Sequence, residues 1–160
     1  MKVGKLLLYH GSDQQIDRPE WNHGSRYRDF GQCFYTTHSR AMASNWAEKN
    51  FMLHPVVNGY ALDFDAAETF NLRIKRFHAD AEWAEFIYNN RFNPGFKRPA
   101  YDVIVGPVAD RGLTEQFAKI ETEGLTFADV APLIKYDRYK EMQVCFSSEY
   151  AVKLLKRIDL

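Results

Sequence analysis

Short runs of apolar residues, several alternating with polar ones, recur along the chain at Leu6 to Tyr9, Phe34 to Thr36, Tyr60 to Phe64, Phe70 to Ile74, Val103 to Val108 and Met142 to Phe146. A period of two over four to six residues is the signature of a strand with one buried face, so these runs predict a sheet-rich frame. Helical stripes lie between them. Met42, Ala43, Trp46 and Ala47 follow Ser39, a residue suited to cap a helix start, and Trp83, Phe86, Ile87 and Asn90 follow Asp80. Ala151, Leu154, Leu155 and Ile158 stand at i, i+3, i+4 and i+7 behind Ser147 or Ser148, with Glu149 near the positive helix end. That spacing predicts a chain ending in a helix. Thr126 with Asp129 three residues on resembles a capping box, but Pro132 follows and removes a helix hydrogen bond, which predicts a short or kinked helix. No repeat, low-complexity tract or Gly/Ser linker interrupts these elements. The expected organisation is one α+β domain over residues 1–160.

Composition narrows the function. Apolar residues make up 46% of the 160 residues and aromatic ones 15%, too much burial potential for a disordered chain. Lys plus Arg and Asp plus Glu number 21 each, so no global positive field draws the protein to nucleic acid or anionic lipid, although a local patch is still allowed. Cys33 and Cys145 are far apart and match no paired ligand spacing. His23, His38, His54 and His78 fall in separate segments, so no metal is expected. The apolar stretch Leu6-Leu7-Leu8-Tyr9 is too short for a signal peptide or a membrane span. A reduced, cytoplasmic chain without a membrane partner is the expectation.

Three clusters put polar or aromatic groups beside apolar strands. In Leu8-Tyr9-His10-Gly11-Ser12 a histidine ends a strand before a glycine whose backbone can approach a ligand, or the strand simply ends in a turn. In Asp29-Phe30-Gly31-Gln32-Cys33-Phe34-Tyr35-Thr36-Thr37, period two sends Cys33, Tyr35 and Thr37 to one face and Phe34 to the other. Tyr35 then offers a flat ring for stacking, or the aromatic pair is plain core. In Glu141-Met142-Gln143-Val144-Cys145-Phe146, Met142, Val144 and Phe146 turn inward, while Glu141, Gln143 and Cys145 share the opposite face, open to solvent or to a ligand. No Gly-x-Gly-x-x-Gly is present, so a dinucleotide bound here does not sit on a Rossmann fold.

Taken together, His-Gly-Ser, then Gly-x-x-Phe-Tyr-x-Thr, then a Glu/Gln-bearing strand resemble in order and spacing the three motifs of the ADP-ribosyltransferase superfamily, in its diphtheria-toxin and poly(ADP-ribose) polymerase branch. The chain is similar to a small bacterial family there, whose members are uncharacterised or suspected toxins. Tyr101 to Asp110, the Asn90-Arg91 pair and Gln143 to Phe146 extend the match, which runs from Leu8 to about Leu155.

The resemblance implies a split, twisted antiparallel or mixed sheet with flanking helices, and NAD consumed as substrate in its cleft. His10 is then expected to bond the adenosine-side ribose, Gly11 the nicotinamide amide, and Tyr35 to stack on the nicotinamide ring, with Ser12, Gly31, Phe34 and Thr36 in the same motifs. Arg26 and Arg28 are placed to fork onto the pyrophosphate, or are solvated loop charges. Gln143 stands where better-known members carry a catalytic glutamate. A neutral hydrogen bond contributes about 0.5–1.5 kcal/mol against about 1.5–3 for a charged one, so ribose positioning survives with about ten-fold less help. Missing general-base assistance costs roughly 10²–10⁴-fold unless Glu141, two residues earlier on the strand, supplies it. Single transfer is favoured over polymer synthesis. The implied activity is mono-ADP-ribosylation of a protein or nucleic-acid acceptor, by a toxin or phage-defence component checked by an antitoxin-like neighbour or delivered as an effector. An NAD glycohydrolase and a catalytically silent NAD or ADP-ribose binding module are the alternatives. Arg91, Lys97 and Arg98 are candidates for an acceptor groove; Asp102, Asp110 and Arg111 read as turn and strand-end residues.

Overall fold

A computed structural model of the chain describes residues 6–62, 71–109, 112–135 and 142–160. It is an α+β fold: β1 (Leu6–Ser12), β2 (Phe34–Thr37), α1 (Arg40–Asn50), β3 (Val56–Leu62), β4 (Ile74–Arg76), α2 (Ala81–Phe92), β5 (Val103–Pro107), α3 (Leu113–Thr122), α4 (Phe127–Ile134), β6 (Met142–Phe146), α5 (Glu149–Val152) and β7 (Leu155–Ile158). The seven strands form one sheet in the order β4-β5-β6-β2-β1-β3-β7. Every neighbouring pair is antiparallel except β4 with β5, so the sheet is mixed.

Both faces of the sheet are covered. On one, Phe30, Cys33, Ile104 and Cys145 pack with Trp83, Phe86 and Ile87 of α2, Phe117 of α3 and Val130, Ala131 and Ile134 of α4. On the other, Leu8, Phe34, Tyr60, Val103, Val144 and Phe146 pack with Ala151, Val152, Leu154 and Leu155. Helix starts follow the predicted caps: Ser39 accepts from the Met42 amide, Asp80 from the Trp83 amide, and Thr126 and Asp129 form a reciprocal capping box. Pro132 sits within α4, which stays short at eight residues.

Several boundaries differ from expectation. The C-terminal stripe is not one helix: α5 ends at Val152, and Leu155–Ile158 is a strand on the outer edge of β3. Pairing satisfies a row of β3 backbone groups that would otherwise form a bare edge, and this outweighs a local pattern only four apolar residues long. The run expected at Tyr60 to Phe64 begins earlier, at Val56, and its last two residues lie outside the described ones. Strand β4 covers only Ile74–Arg76. Gln143 and Cys145, placed on an open face, are buried because β6 is an interior strand with packing on both sides.

Candidate functional site

Strands β1 and β2 meet at a single residue pair, Tyr9 with Thr37. Continued antiparallel pairing would set Gly11 against Tyr35, but from His10 to Ser12 the strand pairs with β3 alone, and β2 turns to β6. The sheet therefore parts here. His10 fills the start of the gap: its ring stacks on Phe34 with centroids 4.2 Å apart, and its Nδ1 lies 2.6 Å from the Tyr35 carbonyl oxygen. A carbonyl only accepts, so Nδ1 carries the proton and the lone pair is on Nε2. Burial holds the His10 pKa below its usual value, the Tyr35 carbonyl opposes that, and the nearby Arg28 charge adds to it. The imidazole is neutral, with an acceptor nitrogen to offer.

Tyr35 turns its phenol to the opposite face from Phe34, against the Asp29–Gly31 turn. Its hydroxyl donates to the Gly31 carbonyl at 2.7 Å and accepts from the Phe30 amide at 3.0 Å. Burial, together with the charges of Cys33, Cys145 and Asp29, pushes its pKa well up, so it remains a donor. Gly31 adopts φ +83°, a left-handed conformation that glycine takes without strain. On the other side of the turn, the Asp29 carboxylate holds Arg91 Nε at 2.5 Å through Oδ1 and faces Gln143 Nε2 at 3.4 Å through Oδ2. Gln143 Nε2 also faces the Pro107 carbonyl at 3.4 Å. Both amide hydrogens thus have acceptors, which fixes the flip of the amide and makes Oε1 the atom that can accept from a ligand.

Tyr35 pairs with Cys145 and Thr37 with Gln143, so the phenol and the carboxamide are diagonal neighbours on one sheet face. His10 reaches them through the Tyr35 backbone. The Arg28 guanidinium covers the Tyr35 ring at 5.8 Å from its centroid. The structure therefore sets Arg28, Gly31, Tyr35 and Gln143 together on one face beside the parting of the sheet, leaves the His10 ring on the other face against Phe34, and adds Asp29, whose role the sequence did not disclose because nothing local marks a carboxylate that a residue 114 positions away will meet.

Other expected site residues have structural partners. Thr36 donates its hydroxyl to the Val144 carbonyl at 2.7 Å, across to β6. Phe34 is core, edge-on to Tyr60 as well as stacked on His10. Ser12 donates to Asp13, and Gly11 is pressed against α1, where a Cβ would lie 2.4 Å from the Ala43 carbonyl oxygen. Arg26 is directed away, onto the Pro94 carbonyl at 2.6 Å. Asp102 accepts from the Arg73 amide, a strand-end role. Glu141, Asp110 and Arg111 lie outside the described residues.

A family model matches residues 6–157, nearly the whole chain. The chain belongs to DUF3990, described as a protein of unknown function. No curated protein and no solved structure matches it. Within this DUF3990 chain, no group of three His, Cys, Asp or Glu residues among those described is arranged to hold a metal ion. No described helix is long and apolar enough to cross a membrane.

Proposed function

We propose that the chain is a mono-ADP-ribosyltransferase that cleaves NAD between nicotinamide and ribose and transfers ADP-ribose to a macromolecular acceptor, as a cytoplasmic toxin or phage-defence component. The observation that supports this most is the set of groups flanking the parting of β1 and β2: on one face a neutral imidazole with its lone pair on Nε2, and on the other a phenol ring covered by a cation and an amide whose nitrogen faces two acceptors, so that its oxygen is the accepting atom. Nicotinamide in NAD is a flat cation, and an aromatic face that attracts the Arg28 guanidinium suits it once the nicotinamide takes that cation's place.

In this reading His10 Nε2 accepts from a ribose hydroxyl and the Tyr35 ring stacks on the nicotinamide. Gln143 Oε1 accepts the 2′-hydroxyl of the nicotinamide ribose. The bond from ribose C1′ to nicotinamide breaks with its electron pair leaving on neutral nicotinamide. An acceptor O–H or N–H supplies the new bond to C1′ and releases its proton to water. Among the described residues the nearby carboxylate is Asp29, but its ion pair with Arg91 makes it a holder of Gln143 rather than a base, a role for which Glu141 is proposed.

The test is purified protein with labelled NAD in a cell lysate. Label on a macromolecule with nicotinamide release is the expected result. Release without macromolecular label would replace the transferase by an NAD glycohydrolase, and binding without release by a silent module.

A further inference from the structure

Beside the Asp29–Gly31 turn lies a cleft of about 180 Å³ between the segment around Trp21 to Gln32 and the end of α2. It is smaller than the roughly 300–1,000 Å³ of a whole small-molecule site, so it suits one ring system rather than a dinucleotide. Its walls are Trp21, Tyr27 and Phe96, with amides from Asn90 and Asn93 and guanidinium groups from Arg26 and Arg98. Arg26 covers the Tyr27 ring at 4.9 Å from the centroid, while Tyr27 itself is 46% exposed. Gly31 lets Arg98 and Asn90 pack close against the turn: a Cβ there would lie 2.8 Å from Arg98 Nη1 and 2.9 Å from Asn90 Oδ1.

The charge around this cleft departs from the neutral balance of the chain. Arg26 and Arg98 line it and no carboxylate among the described residues does, and Lys97 adjoins Arg98 in the chain. Such a rim disfavours a basic peptide and favours a phosphate backbone. Aromatic faces with amide groups at their edges are what an unstacked base requires. The cleft also touches the candidate site: Asn90 donates to the Asp29 carbonyl, and Asp29 faces Gln143.

We infer that this cleft seats one exposed base of a single-stranded nucleic acid, and that such a strand is the ADP-ribose acceptor. The base site stands on the cleft alone; the acceptor role rests on the transferase reading. Binding is measured by fluorescence anisotropy with single-stranded RNA and DNA oligonucleotides of mixed sequence, without NAD, and nicotinamide release is measured separately. Single strands are expected to bind, more weakly as salt rises. Tyr27→Ala should weaken binding about five-fold or more, and Asn93→Ala should also weaken it. Tyr27→Ala should leave nicotinamide release unchanged, and label from NAD should appear on the oligonucleotide. Absent binding, equal binding by both variants, or equal affinity for duplex overturns the base site. Label confined to proteins overturns the acceptor role. Cleft-dependent binding with no NAD turnover leaves the base site standing and overturns the transferase reading instead.

Discussion

His10 carries the clearest pH signature. The unfolded chain takes up a proton on this residue near a pH of about 6.5, whereas the buried imidazole does so only at a lower pH. As pH falls between those two values the unfolded state binds more protons, so the stability this residue contributes is complete above about 6.5 and is lost below it. The melting temperature should decline on the acid side, and His10→Asn should flatten that decline. The KM for NAD should hold steady through that interval and rise only as pH falls through the lower value at which the folded imidazole is protonated, because protonation removes the Nε2 lone pair. Tyr35→Phe removes a donor to Gly31 and an acceptor from Phe30, and should cost about 1–3 kcal/mol in chemical denaturation while leaving the ring face in place. Gln143→Glu sets a second carboxylate where Nε2 now lies 3.4 Å from Asp29. Such a pair shares a proton, so the variant's melting temperature should fall relative to wild type as pH rises from about 5 to about 8. A difference independent of pH would show that the new carboxylate turns away from Asp29.

At the scale of elements, the seating of α1 on β1 depends on Gly11. Its missing side chain allows the Ala43 carbonyl to approach, so Gly11→Ala must push α1 outward, at about 1–3 kcal/mol of overpacking. Thermal denaturation would register this; an unchanged midpoint would show that α1 is free to shift. The glycine seen in the sequence as room for a ligand is thus also room for a helix. Elements marked by local chemistry were legible: Ser39, Asp80 and Thr126 cap helices as their side chains dictate. Elements decided by distant pairing were not. Lys156 and Arg157 read as helix surface until β3 supplies an edge to pair with. Helix α3 went unmarked because it starts at Gly112 with no capping side chain. In the same way His10, Tyr35 and Gln143 could be named from their motifs, but the Asp29–Gln143 contact arises only when β6 is inserted between β5 and β2.

At the scale of the molecule, the sheet is joined across β1 and β2 by one residue pair, and the proposed chemistry sits where that join ends. Two packed faces hold the halves, so the parting has rigid walls on both sides. The proposed transferase depends on Tyr35 as a platform for nicotinamide at that parting. The most direct measurement is nicotinamide release from NAD by the purified wild-type protein and by Tyr35→Ala, with circular dichroism confirming that both are folded. Release by the wild type is expected, with a loss of at least about two-fold in the variant, from about 0.5–1.5 kcal/mol of aromatic stacking. Equal release by the two folded proteins, or none from the wild type, would contradict it.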